Sequence, residues 1–200
     1  MKIKIEDNFL KQEKFDEIEL IINPMLNESI LNFPWYFRYK YYAEPDITVT
    51  GTPSHHKYSL NDEALDQFQF THTFYDDNAP QSPYMQQINC FLDLLQPVAL
   101  FRIKGNLLTR LPTIVSHPFH VDMGFLSEEK QKEWTTSIFY VNTNNGYTIF
   151  EDGTKVESVA NRMLTFPANM KHTGTTCTDQ QSRIVINFNY YKMNATRRKS

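Results

Sequence analysis

The stretch Ser116-His117-Pro118-Phe119-His120-Val121-Asp122 decides how this chain is read. In extended backbone, side chains return to the same face every second residue, so the imidazole of His120 and the carboxylate of Asp122 can converge on one ion. His117 lies three residues before His120, out of phase with the pair, and is read as a residue of the rim or of a supporting layer. Downstream the next histidine is His172, in the short polar segment Met170-Lys171-His172-Thr173-Gly174 between two apolar, strand-like runs. Two histidines and one carboxylate form the open-sided donor set suited to non-haem Fe(II).

Working outward, the flanking sequence alternates with a period of two. Residues 98–103 form a dense apolar run, 106–111 continue toward the histidine stretch, and 136–142 read as another strand. The turn sequences Asn144-Asn145-Gly146 and Glu151-Asp152-Gly153 bracket a short strand at 147–150, and further strands are expected at 155–159, 162–166 and 183–191. In the last of these Arg183, Val185, Asn187 and Asn189 share one face, while Ile184, Ile186, Phe188 and Tyr190 share the other. A polar inner face that starts with arginine suits a ligand. At the bottom of an apolar-walled pocket a guanidinium can grip a carboxylate through two parallel hydrogen bonds.

The N-terminal part differs. A short strand at 2–5 precedes an amphipathic helix with Phe15, Ile18, Ile21 and Ile22 on one stripe, stopped by Pro24. The aromatic run at 26–42 reads as a strand entering the core after Pro34, and residues 43–62 as a polar loop or lid. The adjacent pair His55 and His56 would point to opposite sides and makes a poor metal site. Residues 68–75 alternate again, with His72 read as structural. Ser82-Pro83 supplies a helix start for Met85, Ile88, Phe91, Leu92 and Leu95, which Pro97 closes. Two helices followed by many short strands give an α+β chain, mainly β, with an antiparallel sandwich or roll.

Bulk properties narrow the function. The 200 residues suit a single domain with its own core. A net charge of -3 argues against a general footprint for nucleic acid or anionic membrane. The basic terminus Thr196-Arg197-Arg198-Lys199-Ser200 is read as a flexible tail from about residue 192. Two distant cysteines, Cys90 and Cys177, imply neither a disulfide framework nor a zinc site, and together with the lack of a secretion signal they point to a reducing cytoplasm. No apolar run approaches transmembrane length.

Several signals then fall in a recognisable order: His120-Val121-Asp122, Thr136-Ser137-Ile138-Phe139-Tyr140-Val141-Asn142, Asn145-Gly146-Tyr147-Thr148-Ile149-Phe150, Arg162-Met163-Leu164-Thr165-Phe166-Pro167, His172 and Arg183. In this order the chain resembles the 2-oxoglutarate and Fe(II)-dependent oxygenases, in particular the prolyl 4-hydroxylase-like branch and its short phage and marine bacterial versions. The resemblance is best over about residues 100–191. It implies a double-stranded β-helix, or jelly roll, at about 98–191 with N-terminal supporting helices. It also implies Fe(II) held by His120, Asp122 and His172, with Arg183 gripping the far carboxylate of 2-oxoglutarate. Tyr140 matches a tyrosine contacting that carboxylate, and Thr148 falls near another lining position. The family often has Arg-Tyr before the His-x-Asp strand, where this chain has Arg110-Leu111; the lost hydroxyl leaves Asn106 as the candidate substitute. A Gly-Gly-Glu-Thr element is likewise replaced by Asn145-Gly146-Tyr147-Thr148.

Three protein ligands leave three positions on an octahedral iron, two for a chelating 2-oxo acid and one for O2. The implied reaction hydroxylates a small-molecule or peptide substrate, peptidyl proline being one candidate, while 2-oxoglutarate and O2 become succinate and CO2. Related halogenases vacate the carboxylate position for a halide, so Asp122 favours hydroxylation. The competing reading is a cupin-like jelly roll that binds metal and acts as an isomerase or small-ligand binder without 2-oxoglutarate, which leaves Arg183 unexplained. Specificity is expected to reside in 33–42, 43–62 and 123–133.

Overall fold

In the computed structural model, residues 2–26, 33–38 and 68–193 are described. The expectations for 43–62, including His55 and His56, and for the basic terminus fall outside these residues. Alternation drives the architecture. Strands β1 (Lys4–Glu6), β2 (Tyr36–Arg38), β3 (Gln69–Asp76), β4 (Ala79–Pro80), β5 (Ala99–Thr109), β6 (Trp134–Tyr140), β9 (Arg162–Pro167) and β11 (Ser182–Tyr191) build a large antiparallel sheet. Its order is β1-β9-β6-β11-β5-β3-β2, with β4 paired to β3. A second sheet has the order β10-β7-β8, from β7 (Tyr147–Phe150), β8 (Lys155–Glu157) and β10 (His172–Gly174). The chain is mainly β, as its strand pattern predicts, in the jelly-roll arrangement that the family resemblance implies.

The outer face of the large sheet buries Ile103, Leu107, Phe139, Met163, Ile184, Ile186 and Phe188. Against it pack two helical elements. Helix α1 (Gln12–Ile22) turns Phe15, Ile18 and Ile22 inward at helical spacing. It ends at Asn23, whose N–H donates to the Glu19 carbonyl at 2.8 Å, because Pro24 cannot continue the ladder. The second element starts as a 3-10 turn at Pro83–Ile88, with the Ser82 hydroxyl accepting from the Tyr84 N–H at 3.0 Å. It continues as α2 (Asn89–Leu95) and closes on Gln96 in the left-handed region. The single helix read from the sequence is therefore two segments, since the 3-10 turn and α2 bury the same apolar stripe. Phe91 anchors the cluster, its ring centroid 4.6 Å from that of Phe139 and 5.0 Å from that of Phe188.

A smaller apolar cluster fills the space between the sheets, from Ile138, Tyr140, Phe150, Val156, Leu164, Phe166 and Val185. Val185 stands on the inner face of β11, opposite Ile184 and Ile186, as the period of two requires.

Several local expectations are corrected. The runs at 98–103 and 106–111 merge into one strand, β5, which ends at Thr109 and has Gly105 in its middle. A Cβ there would lie 3.1 Å from the Trp35 ring, so the glycine makes room for the indole. Within the described part of the aromatic run, Phe33 is buried, whereas residues 36–38 form β2, an exposed strand at the end of the large sheet, and do not enter the core. His72 is structural, as expected. Its Nδ1 meets the Pro34 carbonyl at 2.8 Å and so carries the proton, which leaves Nε2 to accept from the Ser82 hydroxyl at 2.7 Å. Among the described residues, no helix is long and apolar enough to cross a membrane.

Candidate metal centre and cosubstrate pocket

The segment carrying His120 and Asp122 is not the strand end the spacing suggested. It touches the small sheet only through isolated bridges, Ser116 to Thr175 and His120 to His172. One of these bridges builds the site. His120 and His172 exchange backbone hydrogen bonds of 3.0 Å in both directions, which sets their rings side by side with centroids 4.9 Å apart. Asp122 follows two residues later, and the ligand atoms of all three lie within 4.8 Å of one another. His120 Nε2 is 3.7 Å from Asp122 Oδ1, and His172 Nε2 is 3.9 Å from Oδ2.

Both imidazoles are oriented the same way. His120 Nδ1 points at the Pro118 carbonyl, 3.3 Å away, and His172 Nδ1 at the Met170 carbonyl, 3.0 Å away. A carbonyl can only accept, so Nδ1 bears the proton and the Nε2 lone pairs face Asp122, as metal ligation requires. Phe166 and Phe150 wall the His172 ring at 4.7 and 6.2 Å. Burial, followed by the neighbouring His172, pulls His120 down to about 4, which keeps it an unprotonated donor at neutral pH.

Asp122 is braced from the large sheet. Its Oδ2 accepts from Asn189 Nδ2 at 2.9 Å and from Thr136 Oγ1 at 3.4 Å; Arg102 Nη2 stands 3.7 Å from Oδ1 and donates to Asn189 Oδ1 at 3.3 Å. Burial pushes the carboxyl upward, but His172, Arg102, His120 and the Asn189 hydrogen bond together outweigh it. They hold Asp122 well below the usual carboxylate range. Two Nε2 donors and one ionised carboxylate on one side of a point fit Fe(II) with open coordination positions.

A second group lies deeper between the sheets. Arg183 is buried, with Nε donating to Ser158 Oγ at 2.8 Å and Nη2 to Thr148 Oγ1 at 3.1 Å. Tyr140 donates its hydroxyl to the same Thr148 oxygen at 2.8 Å, and its ring centroid lies 5.6 Å from the guanidinium carbon. Burial raises the Tyr140 hydroxyl, so it remains a donor. No carboxylate among the described residues comes within ion-pair distance of Arg183.

The structure thus brings together His120, Asp122 and His172, and separately Arg183, Tyr140 and Thr148. Asn106 is not among the latter: on the inner face of β5 it stands between Thr71 and Val185. His117 is buried and donates its backbone N–H to the Gly174 carbonyl at 3.3 Å, outside the three-ligand cluster. Sequence reasoning missed Arg102, Thr136 and Ser158 as contacts of these groups, and it placed Asn189 on the right face without a partner. It also missed the reason for Gly146. A Cβ there would come within 2.7 Å of Arg183 Cδ and of the Thr176 carbonyl, so only glycine lets the arginine stem pass.

No family model matches the chain, and no curated protein matches it significantly in sequence. Solved structures do match. An oxidoreductase of the 2OG-Fe(II) oxygenase family from Burkholderia pseudomallei is 9% identical, covers 96% of this chain and 86% of its own, and has a TM-score of 0.58. A prolyl hydroxylase from Trichoplax adhaerens, solved with a hypoxia inducible factor peptide fragment, is 11% identical, with coverages of 94% and 83% and a TM-score of 0.57. A non-haem α-ketoglutarate-dependent epimerase from nogalamycin biosynthesis is 13% identical, with coverages of 97% and 78% and a TM-score of 0.58. At such identities the likeness establishes the fold, which is that of the 2-oxoglutarate and Fe(II)-dependent oxygenases.

Proposed function

We propose that this protein is a 2-oxoglutarate and Fe(II)-dependent dioxygenase that hydroxylates a small-molecule or peptide substrate, with the chain of 200 residues forming one oxygenase domain. The observation that carries the reading is the pairing of two groups in one inter-sheet space. One is a two-histidine, one-carboxylate cluster; the other is a buried arginine lacking a carboxylate partner among the described residues.

In this reading His120, Asp122 and His172 hold Fe(II). The bound metal, with 2-oxoglutarate and O2, supplies the oxidising chemistry and releases succinate and CO2. The chain's own part is placement. Arg183 grips the far carboxylate of the 2-oxo acid, and its Nε bond to Ser158 and stacking on Tyr140 fix the plane of the guanidinium. Tyr140 and Thr148 share the hydroxyl network that orients this grip. Ile138, Val185, Leu164 and Phe166 pack beside the two poles and keep water from them. Asn189 and Thr136 hold Asp122 in place, and an occupied carboxylate position favours hydroxylation over halogenation. Asn106 is retained as a candidate further contact for the 2-oxo acid.

Peptidyl proline is one candidate substrate. The Trichoplax structure carries a peptide, and the exposed edge strand β2 could accept extended backbone. Two unpaired cysteines suit a reducing, cytoplasmic setting. The cupin-like alternative, metal binding without 2-oxoglutarate, gives Arg183 no task. Purified protein supplied with Fe(II), O2 and 2-oxoglutarate is expected to form succinate, slowly without substrate and faster with it. Succinate formation unchanged in His172→Ala would refute the site, and none in the wild type under any substrate screen would refute the reaction.

A further inference from the structure

The inner face of the large sheet carries Lys104, a cation that the proposed reaction leaves unused, beside Arg102, whose Nη2 braces Asp122 while its Nε has no acceptor among the described residues. On β5, Ile103 and Leu107 pack on the helix side, and the missing Cβ of Gly105 points to Trp35 on that side. Arg102, Lys104 and Asn106 therefore face inward, and the contact of Arg102 with Asp122 confirms the direction. Lys104 sits between Thr73 of β3 and Asn187 of β11, and Arg102 is opposite Asn189. This flank is polar throughout: Thr71 and Thr73 continue it toward the edge strand. The apolar cluster on the Arg183 side lies to the other side of β11, on β6, β7, β8 and β9.

Three observations show that the flank lacks a partner among the described residues. The Lys104 ammonium makes no ion pair or hydrogen bond with any described residue. Arg102 Nε is buried without a hydrogen-bond acceptor, and Asn187 Oδ1, beside Lys104, is buried without a donor. Orphaned buried polar atoms of this kind are uncommon and cost free energy unless something fills them. The charges facing Lys104 are Arg102, Arg38 and the carboxylates of Asp122 and Asp76. With Asp122 engaged by a metal, the remaining balance is positive.

We propose that Lys104 and Arg102 form an anion subsite beside the metal centre that receives a carboxylate or phosphate carried by the substrate, so that the hydroxylated molecule is an anionic one. The identity of the metal and reaction rests on the oxygenase reading above; the anion contact does not. The position favours substrate over cosubstrate, because the 2-oxo acid is held from Arg183 within the apolar lining, whereas Lys104 lies across β11 on the polar flank. Burial and Arg102 hold Lys104 down to about 8, partly countered by Asp122, so it is still a cation at neutral pH.

The probes are inorganic phosphate and the pair N-acetylproline and N-acetylprolinamide, which differ in one negative charge. Each is titrated into protein loaded with redox-inert Zn(II) and saturating 2-oxoglutarate, so that the Arg183 site is already filled, and binding is read from backbone amide NMR shifts. Phosphate and N-acetylproline are expected to shift residues around Lys104 and Asn187, with the acid binding about tenfold more tightly than the amide. Lys104→Met should abolish that preference and Lys104→Arg should keep it, both with wild-type amide spectra elsewhere. Equal affinity for acid and amide in the wild type overturns the proposal, as does a preference that survives in Lys104→Met. So does a loss of 2-oxoglutarate affinity in Lys104→Met equal to that in Arg183→Met, which would make Lys104 a cosubstrate contact. If Zn(II) or 2-oxoglutarate does not bind at all, the oxygenase reading fails, and the same titration on the metal-free protein still decides the subsite.

Discussion

The two faces of β5 and β11 are made by alternate residues of the same two strands, yet they do opposite work. Outward, Ile103, Leu107, Ile184, Ile186 and Phe188 are buried against α1 and α2 in a cluster of aromatic and branched side chains. Inward, Arg102 and Asn189 reach Asp122 and each other, and Lys104, Arg183 and Asn187 add two further cations and an amide to the same face. The difference teaches that stability and chemistry are separated here by the pleat, with no division into regions. It also explains why the register cannot slip: a shift of one residue would turn the arginines into the helices and the isoleucines into the site.

If this separation is real, substitutions on the two faces should fail in different assays. The largest effect is expected from Asp122→Ala, which should lower Fe(II)-dependent succinate formation by about a hundredfold or more; a variant retaining a tenth of wild-type turnover would break the assignment. On the outer face, Phe91→Ala should cost about 3–5 kcal/mol in denaturant unfolding while the folded protein keeps its 2-oxoglutarate affinity. A matching loss of affinity would mean that the faces are coupled. Gly146→Ala sits between these extremes. Its methyl would displace the Arg183 stem, so calorimetry should show 2-oxoglutarate binding weakened about tenfold and metal binding unchanged. Equal weakening of both would show a general distortion.

The smallest effect concerns pH and the structural histidine. Burial lowers His72 below its ordinary value, with the Pro34 hydrogen bond partly opposing. The folded protein therefore holds His72 neutral, while the unfolded chain protonates it below about pH 6.5. The unfolded state binds more protons, so this stabilisation is complete above pH 6.5 and is lost as pH falls, at a rate of at most about 1.4 kcal/mol per pH unit. Unfolding free energies measured from pH 7 to 5.5 should fall less steeply in His72→Gln than in the wild type; parallel lines would remove His72 from the account.

Much of this was legible from residue order. The period of two at 183–191 predicted which side chains of β11 face inward, and the stripe Phe15, Ile18 and Ile22 predicted α1, because both signals are local and repeat several times. The site residues His120, Asp122, His172 and Arg183 stood out for their chemistry, and the structure gathers the first three into one cluster. Less was legible where an element is too short to show a period. Strand β10 has three residues, and the His120 segment pairs through single bridges, so neither could be told from a loop.

What the sequence determined by itself is the alternation of its strands, the order of its chemical groups and hence the class of fold. What only the tertiary structure decided is who meets whom. The backbone bridge between His120 and His172, the bracing of Asp122 by Arg102 and Asn189, the space that Gly146 leaves for Arg183 and the isolation of Lys104 all join strands far apart in the chain. Periodicity records which way a side chain points. It carries no information about the strand that will lie opposite, and that is set by the sheet order and register which burial of the outer face selects.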